Sequence, residues 1–266
     1  MKLLFQADDF GLCESTACGI LKGIREGVIR NTGLFVNMPA SEYSAKLIKD
    51  VKNVCLGIDF NLVAGKPVSD PALVPSLVDA KGDFIPSGVR MKKMKSLSDT
   101  MRADFETDPY PYDETVLEIE NQLKRFIELV GRKPGYLHGH SLITNNIVKA
   151  IQAMSEKYEI PVSFNVWKEK ELYMLPCEWT PKPFPIEQQL ATNVEANLMS
   201  VLPQVLDHEL NVFVCHAGFA EEELFKYSSY TIIRLKDLAA ATSPDVKKFI
   251  EMNQIELITY DDLKEN

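Results

Sequence analysis

The chain has 266 residues, of which 45% are hydrophobic and 25% charged, and its formal net charge is −9. This length fits one large α/β domain or two small ones, and the acidic surplus argues against a nucleic-acid partner, which needs clustered Lys and Arg. No apolar run approaches the roughly 18 residues of a membrane span, and the first apolar run is too short for a signal peptide. We therefore expect a cytoplasmic protein with no membrane partner.

Strand-like and helix-like segments alternate along the chain. Short apolar runs predict strands at Lys2–Ala7, Gly33–Asn37, Val54–Phe60, Tyr136–His140, Pro161–Asn165, Leu210–Cys215 and Ile255–Thr259. Apolar residues at helical spacing predict helices at Ser15–Glu26, Ser41–Lys52, Glu114–Val130, Thr144–Tyr158, Asn193–Leu206 and Asp245–Met252. A proline-rich stretch at Leu175–Pro185 reads as irregular. About seven strands separated mostly by helices predict a parallel sheet, either open or closing into a barrel.

The segment Asn61–Tyr112 is long and rich in Pro, Gly, Lys and Asp. A structureless loop of that size is uncommon in a compact domain unless it is functional. We therefore expect one catalytic domain over residues 1–266, in which residues 61–112 form an insertion over the active-site face.

Polar side chains follow several predicted strands at the point where each strand ends. They are Asp8 and Asp9, Asp59 and Asn61, His138 and His140, and His216. Only four histidines occur in the chain, and three of them are in this set. Reactive groups of parallel α/β proteins gather at the carboxyl ends of the strands, so we expect these side chains to converge.

These residue types suit metal and proton chemistry. Asp8 and Asp9 leave the strand in different directions, so one can hold a metal while the other accepts a proton. His138 and His140 project from the same face of a strand, as a pair of metal ligands would. Asp59 follows an apolar run, where a charge is costly unless it is paired or coordinated. Taken singly, each residue could instead cap a turn or fill the core.

His216 follows the apolar strand Leu210–Cys215. It could be a general acid that delivers a proton to a leaving group, or simply a histidine that ends its strand.

Several motifs resemble those of the YdjC-like carbohydrate deacetylases, a family that includes chitooligosaccharide deacetylase. They run in the same order over nearly the whole chain and are Ala7–Leu12 (Ala-Asp-Asp-Phe-Gly-Leu), Gly57–Val68, Phe126–His140, Cys215–Phe219 (Cys-His-Ala-Gly-Phe), Ser229–Tyr230 and Arg234–Leu238. The resemblance implies a distorted, incomplete (β/α) barrel that pairs into a homodimer and acts on a small acetylated sugar.

Carried over position by position, the resemblance implies a metal shell of Asp9, Asp59 and His140. It further implies that Asp8 is the base that activates the attacking water. His216 is then the acid that protonates the departing amine.

The chain departs from the family pattern at two of these positions. Asp59 stands where the family has its first metal histidine, and His138 stands where the family has an aspartate. A shell of two carboxylates and one imidazole is hard, so we expect Mg²⁺, with Zn²⁺ or Mn²⁺ as alternatives. Asn61, His138 and Arg234 are expected to contact the substrate.

Two other functions stay open at this stage. One is hydrolysis of a phosphorylated disaccharide, which would need basic residues such as Lys66, Arg90 and Lys92 in the pocket. The other is a sugar-binding protein that retains its metal but has lost turnover through Asp59 and His138.

Overall fold

The structure, a computed structural model, describes residues 1–98, 102–176 and 185–264. Most of the predicted irregular stretch Leu175–Pro185 lies outside these ranges. The strands are β1 (Lys2–Phe10), β2 (Asn31–Leu34), β3 (Cys55–Phe60), β4 (Ser96–Leu97), β5 (Ala103–Asp104), β6 (Leu137–Gly139), β7 (Tyr173–Met174), β8 (Leu210–Cys215) and β9 (Glu256–Ile258).

The α-helices within the described ranges vary from one to five turns. They are α1 (Glu14–Glu26), α2 (Ser41–Ile48), α3 (Ser87–Met91), α4 (Tyr112–Val130), α5 (Asn145–Tyr158), α6 (Ser163–Glu169), α7 (Ile186–Ala191), α8 (Val194–Val201), α9 (Leu224–Tyr227), α10 (Ile232–Thr242) and α11 (Pro244–Met252). None of the helices in the part of the chain that the structure describes is long and apolar enough to cross a membrane.

Seven strands form one parallel sheet in the order β6-β3-β2-β1-β8-β7, and β9 pairs with the first residues of β1. Strands β4 and β5 form a separate antiparallel hairpin. The seven-stranded sheet curls into a half-barrel, which confirms the predicted incomplete (β/α) barrel with about seven mostly parallel strands. Because all its pairings are parallel, the carboxyl ends of the strands lie along one edge.

The central strand β1 is buried along almost its whole length because helices cover the sheet. Ile20 and Ile24 on the apolar face of α1 are buried in the same core as Leu3 and Phe5 of β1. Burying side chains of this size contributes about 1.5–3 kcal/mol each to folding. The core therefore holds the end of β1, where the two acids lie, in a rigid position.

One strand prediction is wrong, one is displaced, and the helices α3, α6, α7, α9 and α10 were not predicted. Residues Pro161–Asn165 do not form a strand: only Val162 bridges to β6, and helix α6 begins at the next residue. The β-branched residues Ile160 and Val162 favour a strand, but helix α6 begins directly after the bridge at Val162. Strand β2 begins and ends earlier than the predicted Gly33–Asn37. Helix α10, which carries Arg234, was not predicted.

The segment 61–112 contains the short helix α3 and the β4–β5 hairpin. It is fixed to helix α4 by Glu118, whose carboxylate accepts the backbone N–H groups of Val68 and Ser69 at 3.0 and 2.9 Å. Glu118 is fully buried. The described part of this segment is therefore anchored to the fold by a buried charged group.

Candidate active site

Strand β1 carries a β-bulge just before it ends, and the two adjacent acids lie in it. Asp9 has a φ of 72°, a left-handed conformation that aspartate tolerates better than most residues. Bulges turn side chains in new directions and are common next to active sites. As predicted, the two carboxylates diverge: Asp8 faces His138 and Asp9 faces His140.

The carboxylate of Asp8 is held between an amide and an imidazole. Its Oδ1 accepts a hydrogen bond from Nε2 of Gln6 at 2.6 Å, and its Oδ2 lies 3.5 Å from Nε2 of His138. Burial disfavours both charges, but each group stabilises the other. The pKa of Asp8 is therefore lowered and that of His138 is raised to about 9. On its other side, Nδ1 of His138 lies 2.7 Å from Oγ of Ser163, and the ring stacks on Phe164.

The carboxylate of Asp9 is fully buried between a guanidinium and an imidazole. Its Oδ2 accepts a hydrogen bond from Nη2 of Arg234 at 2.6 Å. Its Oδ1 lies 2.8 Å from Nδ1 of His140, at ion-pair distance but without the alignment of a regular hydrogen bond. Burial alone would raise the pKa of Asp9, but the charges of His140 and Arg234 hold it well below its usual range.

Asp59, on strand β3, contacts both the Asp8–His138 pair and the Asp9–His140 pair described above. It pairs in register with His138 of β6, and its Oδ2 accepts the backbone N–H of Asp9 at 2.9 Å. Its Oδ1 is buried and has no hydrogen-bond donor. Burial and the neighbouring charge of Asp8 raise the pKa of Asp59 to about 7. The carboxylate fits only because residue 33 of strand β2 is glycine, since a Cβ at Gly33 would overlap it.

These side chains fit a divalent cation. Single ligand atoms of Asp8, Asp59 and His138 lie within 4.8 Å of one another. The predicted set of Asp9, Asp59 and His140 shares Asp59 with this group, but the structure shows a short ligand distance in that set only between an oxygen of Asp9 and a nitrogen of His140, at 2.8 Å. Ligand atoms of one cation lie about 3 Å apart when the bonds to it are about 2.1 Å long. Oδ1 of Asp9 and Oδ1 of Asp59 are each buried without a hydrogen-bond donor, and a bound cation would satisfy the one that it contacts.

His216 lies directly after β8 at the same edge of the sheet. Its backbone N–H donates to Oδ2 of Asp237 on helix α10 at 2.8 Å, and its ring lies 4.9 Å from the ring of Tyr230. Burial lowers the pKa of His216, although the charges of Asp9 and Asp8 act in the opposite direction. Burial therefore favours the neutral form of the imidazole.

Asn61 and Arg234, which were predicted to contact substrate, are engaged within the protein. The Oδ1 of Asn61 accepts backbone N–H groups of its own turn, and its Nδ2 donates to Oδ1 of Asn37 at 3.0 Å. Arg234 is 1% exposed and binds Asp9 and the carbonyl oxygen of Tyr230. A direct contact of either residue with substrate stays a prediction.

Sequence reasoning missed several residues that build the site: Gln6, Gly33, Ser163, Asp237 and Tyr260. Gln6 offered a signal, because a polar residue inside the apolar run Leu3–Ala7 has to find a buried partner. Asp237 offered a weaker one, because it is an acid among apolar residues three positions after Arg234 and directly after Lys236. Gly33 and Ser163 offered none, because their roles depend on which strands and helices become neighbours.

The buried carboxyl of Asp237, next to His216 at the carboxyl edge of the sheet, allows a test of how burial changes a pKa there. Burial raises the pKa of its carboxyl to about 7, so the folded state binds more protons than the unfolded state between pH 4 and 7. Stability is therefore lost as the pH rises through this window. In chelator-treated protein, Asp237→Asn is expected to gain stability relative to wild type between pH 5 and 8, by up to about 4 kcal/mol.

The measurement is urea unfolding at several pH values, with Asp207→Asn, at an exposed position, as the matched control. A constant difference between wild type and Asp237→Asn across this pH range would contradict the prediction.

The fold and site together define an α/β half-barrel protein whose sheet edge buries three carboxylates among imidazoles able to hold a divalent cation. The chain belongs to the YdjC-like protein family, whose model matches residues 2–252. This finding confirms the resemblance drawn from the sequence motifs.

Relatives match over almost their full length. A carbohydrate deacetylase of Clostridium beijerinckii is 26% identical, over 99% of this chain and 100% of its own. Carbohydrate deacetylase 2 of Listeria innocua is 28% identical, over 99% of each chain. A chitooligosaccharide deacetylase of Yersinia enterocolitica is 26% identical, over 98% of each chain.

The fold has a match among crystal structures. A protein of Enterococcus faecalis, described as a proposed cellobiose-phosphate cleavage protein, superposes with a TM-score of 0.78 over 99% of each chain at 22% sequence identity. This likeness supports the half-barrel fold.

Proposed function

We propose that this protein is a metal-dependent carbohydrate deacetylase that hydrolyses the acetamido group of N-acetylated sugars to acetate and an amino sugar. The observation that carries the proposal is the convergence of Asp8, Asp9 and Asp59 with three of the four histidines at one buried edge of the sheet. The names of the full-length relatives support the same activity.

In the proposed reaction, water adds to the acetyl carbon and the carbon–nitrogen bond breaks. A bound divalent cation supplies Lewis acidity, which polarises a carbonyl and acidifies water. Asp8, held as a carboxylate by Gln6 and His138, takes the proton of the water. The proton that Asp8 took from the water then passes to the imidazole of His216, which gives it to the departing amine nitrogen, so that Asp8 and His216 both end in their starting states.

We propose Asp9, Asp59 and His140 as the ligands of the cation and Mg²⁺ as the ion, with Zn²⁺ and Mn²⁺ as alternatives. Asn61, His138 and Arg234 are proposed to border the substrate or to position the groups that do. We further propose that residues 61–112 form one wall of the sugar cleft within a single catalytic domain, and that the protein is a cytoplasmic homodimer.

The test is a screen for acetate release. Chelator-treated protein is supplied with Mg²⁺, Mn²⁺, Zn²⁺ or Co²⁺ and incubated with N-acetylated mono- and disaccharides, and acetate is measured by a coupled assay. We expect metal-dependent acetate release from at least one sugar. The metal-free protein with the same sugars is the control, and absence of acetate under all conditions would reject the proposal.

The two other functions make different predictions in the same screen. Binding of an acetylated sugar without acetate release would indicate a sugar-binding protein. Phosphorylated disaccharides, included as substrates, would report cleavage by phosphate or hexose release. One observation disfavours that function: Arg90 is buried, with its guanidinium bonded to the carbonyl oxygen of Pro109 at 2.6 Å and placed over the ring of Tyr110. It is therefore not free to bind a phosphate.

A further inference from the structure

A chain of three buried hydrogen bonds runs from helix α6 to the carboxylate of Asp8. Nε1 of Trp167 donates to the hydroxyl of Tyr260 at 2.8 Å, this hydroxyl donates to Oε1 of Gln6 at 2.7 Å, and Nε2 of Gln6 donates to Oδ1 of Asp8 at 2.6 Å. All four side chains are less than a tenth exposed. The chain crosses the core and ends at the site.

The direction of every bond in this chain follows from its first member. An indole N–H can only donate, so the oxygen of Tyr260 accepts there and its proton is left for Gln6. The carbonyl of Gln6 is then occupied, which turns its amide nitrogen towards Asp8. Without Trp167 and Tyr260, the amide of Gln6 could rotate and present an oxygen to the carboxylate.

Trp167, the first donor in this series of hydrogen bonds, also lies close to His138 of the site. The ring of Trp167 lies 5.8 Å from the ring of His138, whose Nε2 lies 3.5 Å from Oδ2 of Asp8. Gln6 therefore positions Oδ1 of Asp8 and His138 positions Oδ2, and Trp167 is linked to both of these residues. The ring of Tyr260 is fixed in turn by stacking on Tyr136 at 4.0 Å.

We propose that Gln6 is a positioning residue for Asp8, and that Tyr260 and Trp167 set its orientation so that Oδ1 of Asp8 is held and Oδ2 is presented to the site. This inference rests on the proposed role of Asp8 in the reaction. It adds to that function three core residues that are not proposed as metal ligands and that determine the orientation of the Asp8 carboxylate.

The test is a double-mutant cycle between Tyr260 and Gln6. Tyr260→Phe removes one hydroxyl and keeps the stacked ring, while Gln6→Leu removes the donor to Asp8. Each is expected to lower kcat for acetate release about 10- to 100-fold, as small misplacements of reacting groups do, with KM changed less than threefold. Since both act through one bond to Asp8, the double variant is expected to lose no more than Gln6→Leu alone.

Tyr136→Phe is the matched control, because the hydroxyl of Tyr136 is buried without a partner and lies outside the chain of bonds. It is expected to keep the wild-type kcat. Trp167→Phe is a second variant in case Tyr260→Phe folds poorly, and it is expected to lower kcat less, about twofold to fivefold, because Tyr260 can still donate to Gln6. Multiplicative losses in the double variant, or an unchanged kcat in both single variants, would overturn the inference.

Crystal structures separate this inference from the proposed function. If the wild type releases no acetate, the proposed function fails, but the orientation of Asp8 in Tyr260→Phe still decides the inference. We expect the carboxylate to be rotated in that variant and unmoved in Tyr136→Phe. A carboxylate of Asp8 that stays in place without the hydroxyl of Tyr260 would overturn it.

Discussion

Replacing Asp8 by asparagine is expected to lower kcat for acetate release by about 100- to 10,000-fold, the range that a general base contributes. The substitution keeps the size of the side chain but removes its ability to take a proton. Because Asp8 is proposed as the base and not as a metal ligand, the bound metal and the affinity for acetylated sugar should change little. The measurement is steady-state kinetics combined with metal analysis of the purified variant.

Asp104→Asn, an exposed substitution on β5, is the matched control and should behave as wild type. The structure also brings Asp8 within ligand distance of Asp59 and His138. If Asp8→Asn loses its metal along with its activity, Asp8 is a ligand, and the assignment of a separate base is wrong. If the variant keeps full activity, Asp8 has no part in the reaction.

Replacing Asp59 by alanine is expected to weaken divalent cation binding by at least about 100-fold and to abolish acetate release. Asp59 belongs to both overlapping sets of ligands, and its loss leaves each with two side chains. Changing only the partner of a ligand already costs about 10- to 100-fold in affinity, so loss of a ligand should cost more. The measurement is calorimetric titration of chelator-treated protein with Mn²⁺.

Substitutions of His138 and His140 then show which of the two sets of ligands holds the cation. His140→Ala should weaken Mn²⁺ binding as strongly as Asp59→Ala if the cation is held by Asp9, Asp59 and His140. His138→Ala should leave binding within a few-fold of wild type. His208→Ala, which removes the fourth histidine of the chain, is the control for loss of an imidazole elsewhere. The reverse order of the two effects would place the cation on Asp8, Asp59 and His138.

The position of the site could be predicted from the sequence because of one regularity of parallel sheets. Apolar runs that end in Asp8, Asp59, His138 and His216 mark the ends of buried strands, and parallel pairing brings those ends to one edge. The family resemblance added the order of the motifs. No knowledge of side-chain contacts was needed for either step.

The contacts within the site could not be predicted in this way. The direction of each carboxylate depends on a bulge and on a left-handed residue at Asp9, which leave no periodic signal in the sequence. Tyr260 reaches Gln6 across 254 positions of the chain. The residues after Val162 were predicted as a strand because local β propensity competes with packing, and helix α6 forms where Trp167 fills the core beside His138.

Gly33 has a consequence for any redesign of this protein. The carboxylate of Asp59 occupies the volume that a side chain at position 33 would take on the neighbouring strand. A substitution at position 33 is therefore open only to a variant that has first lost the acid at position 59, whereas position 59 can change alone. A mutant library that varies position 33 alone would return only glycine among its active members.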